Sequence, residues 1–376
     1  FYDRTSGMPK TPMWTYSAGG AFFSVAISAD GDCVAAGNGS LVCFWKNAKS
    51  SAGTPTWTSQ DLYGVIQYRC LAISDDGDYL VAGGTGPTVF YWKGAKGKSG
   101  PNIATTWQHG TGANVEAVDI SSDGNYVAAG TDMPSVAYWK NAESSTGTPD
   151  WVSTKLNSAL HVVDVAVSDD GNYVVSVSHS ITGALYYWAG ATGLTDDPYA
   201  VWYHELGAGP IFTSVDMSSD GNSVIAGASV GVYFWGGART LTGEPQTESW
   251  KYTTAAYVWD VAIDDAGDYM AASDGMYYVY FLDNKGNSLW NPPYGPLHNT
   301  PFALSISSDG GTLAVGTGLY ASSYLLDTGY GTPSGRPVGG ILIPADKIAI
   351  LSPYLALVGL LGAVTVAVAA TRRRKS

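Results

Sequence analysis

The chain has 376 residues, 45% of them hydrophobic and 12% aromatic with only 14% charged, which excludes a disordered polyelectrolyte and supplies material for a large core. Its net charge of −13 is unevenly divided: residues 346–376 hold five of the 19 Lys+Arg and one of the 32 Asp+Glu, so residues 1–345 stand at −17. Such a surface repels phosphate backbones and argues against nucleic-acid partners.

The first residue is Phe1, which fits a chain read from behind a removed leader and equally a truncated one. Residues 1–12 read as a loose arm. From Trp14 onward one unit recurs, seen most clearly in Ser121-Ser122-Asp123-Gly124-Asn125-Tyr126-Val127-Ala128-Ala129-Gly130. The glycine of its Asp-Gly step falls at 31, 77, 124, 171, 221, 267 and 310 (with Ala-Gly in the sixth), a period near 45 that suits a four-stranded propeller blade. Each Asp-Gly closes a hairpin between two short apolar strands, because glycine accepts positive φ without steric cost and aspartate caps the turn with its carboxylate. A third strand follows, as in Val136-Ala137-Tyr138-Trp139-Lys140, and then a polar loop. Trp57, Trp107, Trp151, Trp202, Trp250 and Trp290 each mark a fourth, outer strand after that loop. The last repeat ends at Asp327 without one, so Met13-Trp14-Thr15-Tyr16 is expected to complete it and close the ring.

Cys33, Cys43 and Cys70 all lie in strand segments of the first two repeats. If Asn38-Gly39 is the two-residue turn, Cys33 opposes Phe44 and Cys43 opposes Val34, on opposite faces, which forbids a bridge between them. Buried free thiols are expected; a Cys33–Cys70 pair stays open. Asn38-Gly39-Ser40 is the one glycosylation sequon and sits in a predicted turn.

Residues 328–347, rich in Gly, Pro, Thr and Ser at first, read as a tether. Residues 348–370 give 23 positions without a charge, long enough to cross a membrane, and 371–376 are a basic tail that stays in the cytoplasm by the positive-inside rule. The globular part over 13–327 then faces outward. Gly359, Ala363 and Ala367 share one helical face and allow close helix packing. The expected fold is therefore all-β, a seven-bladed propeller closed by an N-terminal outer strand, plus one C-terminal transmembrane helix.

The run from Val118 to Gly130, continuing to Tyr138-Trp139, resembles the WD-repeat propellers, although Lys140 replaces their final Asp and their Gly-His pair is missing. Thr54-Pro55-Thr56-Trp57 and Thr148-Pro149-Asp150-Trp151 resemble the propeller repeats of archaeal surface proteins, and residues 339–354 are similar to the C-terminal anchors of such proteins. Asp283-Asn284-Lys285-Gly286-Asn287-Ser288-Leu289-Trp290 resembles quinoprotein propellers, but their vicinal cysteines are absent. The resemblance implies a cell-surface binding module and no cofactor.

Asp30, Asp76, Asp123, Asp170, Asp220 and Asp309 read as turn formers, one per blade. The doublets Asp75-Asp76 and Asp169-Asp170 offer at most loose cation contacts. His109, His161, His179, His204 and His298 are placed in different repeats, so no metal site is expected. No catalytic residue is expected either. Binding is expected on the face made by the second-to-third-strand loops and the loops leading into each blade, at Tyr63, His109, Asp132, His179, Tyr257, Trp259, Asp274 and Tyr320. The functional expectation is a non-catalytic surface-layer or adhesion module. Its partners would be membrane lipid, surface or membrane proteins, glycans, or further copies of the chain. The rival readings are an accessory subunit of a membrane complex and an extracellular hydrolase or lyase.

Overall fold

The computed structural model describes Trp14, Tyr16 and residues 22–330 apart from 65, 67–68, 157–158, 181, 244, 298–299 and 318–322. The arm, the transmembrane stretch with Gly359, Ala363 and Ala367, the basic tail, Tyr320 and His298 lie outside the described residues, as does the tether beyond Tyr330.

Seven sheets follow one another along the chain. The first contains β1 (Phe22–Ile27), β2 (Cys33–Asn38), β3 (Leu41–Lys46) and β4 (Trp57–Ser59). The second contains β5 (Leu71–Ile73), β6 (Tyr79–Ala82), β7 (Thr88–Lys93) and, after β8 (Gly100–Ile103), β9 (Trp107–Gly110). The third is β10 (Val115–Ile120), β11 (Val127–Thr131), β12 (Val136–Trp139) and β13 (Trp151–Ser153). The fourth is β14 (Ala159–Val167), β15 (Tyr173–Ser180), β16 (Ala184–Ala189) and β17 (Trp202–Glu205). The fifth is β18 (Phe212–Met217), β19 (Ser223–Ala228), β20 (Gly231–Gly236) and β21 (Trp250–Tyr252). The sixth has β22 (Val258–Ile263), β23 (Tyr269–Asp274) and β24 (Val279–Asp283), and the seventh has β25 (Pro301–Ile306), β26 (Thr312–Thr317) and β27 (Ser323–Asp327). There is no α-helix among the described residues, and none of their helices is long and apolar enough to cross a membrane.

The core lies between sheets rather than within one. Val81 and Tyr91 of the second sheet pack with Val118, Val127 and Trp139 of the third, and Leu185 and Tyr187 of the fourth pack with Val215, Val224 and Trp235 of the fifth. This explains why the inner strands are apolar on both faces. Sheets that cover one another in sequence around an axis are the β-propeller arrangement.

Six of the seven hairpins share three hydrogen bonds. In the third sheet Ser121 Oγ donates to Asp123 Oδ1 at 2.7 Å, the Asn125 amide donates to that carboxylate at 2.9 Å, and the Tyr126 amide donates to Ser121 Oγ at 3.0 Å. In the sixth, Asp264 replaces the serine and accepts both the Asp268 and Tyr269 amides. The glycine serves two purposes. Gly124 has φ +76°, and a Cβ there would lie 2.3 Å from the Tyr79 ring of the preceding sheet. The hairpin carbonyls complete the contact: Tyr91, Tyr138 and Tyr187 hydroxyls donate to Gly124, Gly171 and Gly221 at 2.8, 2.5 and 2.6 Å.

The outer tryptophans lock the rim by a second repeated contact. Nε1 of Trp57, Trp107, Trp151 and Trp202 donates to the carbonyl of Ala95, Ala142, Ala191 and Ala238 in the next repeat, at 2.8–3.0 Å. Each alanine opens a one-turn 3₁₀ segment that follows a residue in the left-handed region, Gly94, Asn141, Gly190 or Gly237. Trp14 donates to Ala48 of the first repeat in the same way, at 2.6 Å, and stacks on Trp45 with centroids 5.4 Å apart. It therefore stands to the first sheet as Trp57 stands to the second. Loops also reach backwards: β8 pairs in parallel with β4, and Asp196 and Gly243 make parallel bridges to Trp151 and Trp202.

Several expectations need correction. Trp290 lies outside any strand, and the sixth sheet has three strands with only isolated bridges at Ser288 and Tyr294. Pro292, Pro293 and Pro296 leave that segment without the amide donors an outer strand requires. The first-sheet turn is Gly39-Ser40, since Asn38 pairs with Leu41. Gly39, at φ +55°, takes the first central position. Cys33 then opposes Lys46 and Cys43 opposes Ala36, still on opposite faces, and all three cysteines are buried and outside any disulfide. Thr328 is buried and donates to the Gly310 carbonyl at 2.7 Å, while Tyr330 packs on Tyr269 and Phe281, so the start of the expected tether adheres to the sheets.

Candidate functional site

The axis is lined by aspartates that no expectation singled out. Asp119 lies five residues before its hairpin glycine and accepts the Val167 amide of the next sheet at 2.8 Å. Asp216, also five before, accepts the Ile263 amide at 3.0 Å. Asp164 and Asp260, each seven before, accept the Val215 and Leu304 amides at 3.0 and 2.7 Å. Each carboxylate thus ties one inner strand to the next, and the two offsets alternate between odd and even sheets. Their signal was an acid inside an apolar strand, as in Val-Asp-Ile or Trp-Asp-Val.

Arg69 precedes β5 in the left-handed region, φ +61°, and reaches across the axis. Its Nε lies 3.2 Å from Asp164 Oδ2, and Nη2 donates to the Trp259 carbonyl at 2.8 Å and lies 3.4 Å from Asp260. Ser214 Oγ lies 3.0 and 2.8 Å from Asp164 and Asp260, within hydrogen-bonding distance of both. These groups border a cavity of about 180 Å³, walled further by Asp216 and by the Val261–Ile263 and Leu304–Ile306 segments. Burial pushes Asp119 up to about 7 and Asp164 up to about 6, the latter in spite of Arg69, and it raises Asp216 as well. For Arg69, burial pulls the pKa down, but Asp164 and Asp260 outweigh it and hold the pKa above the usual guanidinium value.

The described members of the expected binding set stand in different surroundings. Tyr63 is 92% exposed at the tip of the β4–β5 connection. Tyr257 meets Trp259 edge to face at 4.9 Å, and Trp259 meets Phe302 in the same way. Asp132 accepts the Asn114 side-chain amide at 2.8 Å. Asp274 is fully buried; it accepts the Met276 and Tyr278 amides and the Tyr280 hydroxyl, so it caps the β23–β24 turn instead of facing a ligand. His109 sits on outer strand β9, edge-on to Trp139, away from the axis. Asn38 is half-buried at the end of β2, beside a turn whose Gly39 and Ser40 carbonyls accept the Ile66 and Leu62 amides.

His179 has a neighbour that the sequence reading put elsewhere. His161 and His179 belong to the same repeat and face each other across β14 and β15, ring centroids 4.8 Å apart. The signal was their near-equal distance from the Asp170-Gly171 turn. The face also carries large apolar side chains: Met133, Leu160, Val230, Met276, Tyr277 and Tyr294 join Tyr63 there, seven of the nine such exposed groups among the described residues.

Residues 63–93, which span β5 to β7, match the WD domain, G-beta repeat family. The chain is also similar to a solved structure, the β-propeller domain of Myceliophteria thermophila Cps50 (Swd1). Identity is 15% and the TM-score 0.59, over 80% of this chain and 94% of that one, a likeness of fold. No curated protein matches the chain.

Proposed function

We propose that this chain is a non-catalytic binding module, a closed seven-bladed propeller that docks a protein partner on its loop face. The observation that carries this reading is the gathering of exposed Tyr, Met and Leu side chains on that face, while the hairpin face spends its side chains on contacts between sheets. Trp14 docks on the first sheet as each outer tryptophan docks on the sheet after its own, which supports closure of the ring. Residues 348–370 would anchor the module in a membrane with the propeller outside the cell, in a surface-layer or adhesive role.

Photo-crosslinkers at 63, 160 and 276, with others at 123 and 220 on the hairpin face, test the reading in the native membrane. Crosslinks to one discrete protein from the first set alone are expected; equal yield from both faces would overturn it. Alkaline extraction tests the anchor, since a chain released without detergent is not held by a spanning helix. A stoichiometric set of copurifying membrane proteins would favour the accessory-subunit reading.

The hydrolase or lyase reading draws on the convergence of Arg69, Asp164, Asp216 and Asp260 at one cavity. Their hydrogen bonds weigh against it. Each aspartate there accepts a backbone amide from the next sheet, and Asp164 and Asp216 also accept their own neighbours' amides, so these carboxylates serve as fasteners.

A further inference from the structure

We propose that His161 and His179 form a binding site for a borderline divalent transition-metal ion, Zn²⁺ or Cu²⁺, on the loop face of the fourth sheet. The two residues are direct cross-strand partners, and irregular pairing flanks them, with register shifts between Ala159 and His161 and between Val162 and Asp164. Such bulges re-aim side chains and pin register, here setting two imidazoles side by side at the end of the longest hairpin. Metal–nitrogen bonds of about 2.0–2.1 Å require ring nitrogens roughly 3.3 Å apart. Rings with centroids 4.8 Å apart and inclined at 51° reach that separation by side-chain rotation.

The surroundings suit a metal better than a structural pair. His179 hydrogen-bonds to the Phe212 backbone, an interaction that favours the protonated ring, so the ring nitrogen donates to the carbonyl. That bond fixes the tautomer and leaves the other nitrogen with a free lone pair, the usual second contact of a metal-bound histidine. Glu116, on β10 of the adjacent sheet, lies within electrostatic reach of His161, and Arg69 lies within reach of His179. Both histidines are half-buried and open to the loop face. Among the described residues no three His, Cys, Asp or Glu are gathered as a complete ligand set. The protein therefore supplies two nitrogens, and water occupies the remaining positions.

The experiment uses the untagged full chain and Cu²⁺ alone. Electron paramagnetic resonance of the unmodified protein should show one ion per chain coupled to two imidazole nitrogens. His161→Asn and His179→Asn should each weaken binding by about tenfold or more, whereas His109→Asn, on another strand, should leave it unchanged. Glu116→Gln should weaken it by only a fewfold. A spectrum without two-nitrogen coupling overturns the proposal whether or not the variants fold, and so does unaltered affinity in the double variant.

Discussion

From the third sheet to the seventh, every inner strand is fastened to the next by a carboxylate: Asp119, Asp164, Asp216 and Asp260 in turn. Around the first sheet no aspartate stands at the matching position. Ala26 occupies the position of Asp119 and Asp216, and in the seventh sheet Ser305 does. The Arg69 carbonyl takes over between the second and third sheets, where it accepts the Val118 amide at 2.8 Å. The contrast shows two solutions to one problem. Where the axial aspartates end, the first sheet carries an aromatic contact at the rim, Trp14 on Trp45 and Ala48.

The largest expected effect tests that division directly. Trp14→Ala should cost about 3–5 kcal/mol, and amide exchange should quicken first in β1–β4 and β25–β27. Equal quickening in all seven sheets would break the comparison. Gly171→Ala comes next, because its φ of +66° and a Cβ 2.0 Å from the Tyr126 ring leave no room. Urea denaturation should show a loss of about 2–4 kcal/mol, against about 1 for Gly190→Ala, which has an equally strained backbone with open space around it.

Arg69→Met removes the cation between Asp164 and Asp260 and should cost about 2–3 kcal/mol at pH 7.5 but less at pH 5. The sign follows from the raised carboxyl groups. Asp119 at about 7 and Asp164 at about 6 hold protons in the folded chain that they have released in the unfolded one. The folded state binds more protons over that window, so stability should rise as pH falls from about 7 toward 4, by about 1–3 kcal/mol in all. A melting temperature that falls steadily below pH 7 would rule this out. The smallest effect belongs to the loop face, where Tyr63→Ser and Met276→Ser should change stability by no more than about 0.5 kcal/mol while removing the partner crosslink.

The hairpin chemistry was legible in the sequence because each Ser-x-Asp-Gly is local: its three hydrogen bonds lie within six residues, and the same letters recur. The outer tryptophans were legible for the same reason. The axis was not, since Asp119 and Asp164 act on strands about fifty residues away and sit at two different offsets. Bulges compound the difficulty. The shift between Val115 and Ala117, matched in five other inner strands, breaks the alternation from which faces are read. The same irregularity hid the pairing of His161 with His179, and the proline-rich segment after Trp290 defeated a pattern that held elsewhere.

The two offsets of the axial aspartates have a consequence in parity. Five residues before the glycine in the third and fifth repeats, seven in the fourth and sixth, they make the working unit a doublet, and the near-copied loops at 46–55 and 140–149 lie two repeats apart. A ring with an odd number of members cannot complete such a pattern, so somewhere two members of the same kind must meet. In a closed ring that meeting would fall between the last sheet and the first, where Ser305 and Ala26 stand at the same five-residue offset and neither is an acid.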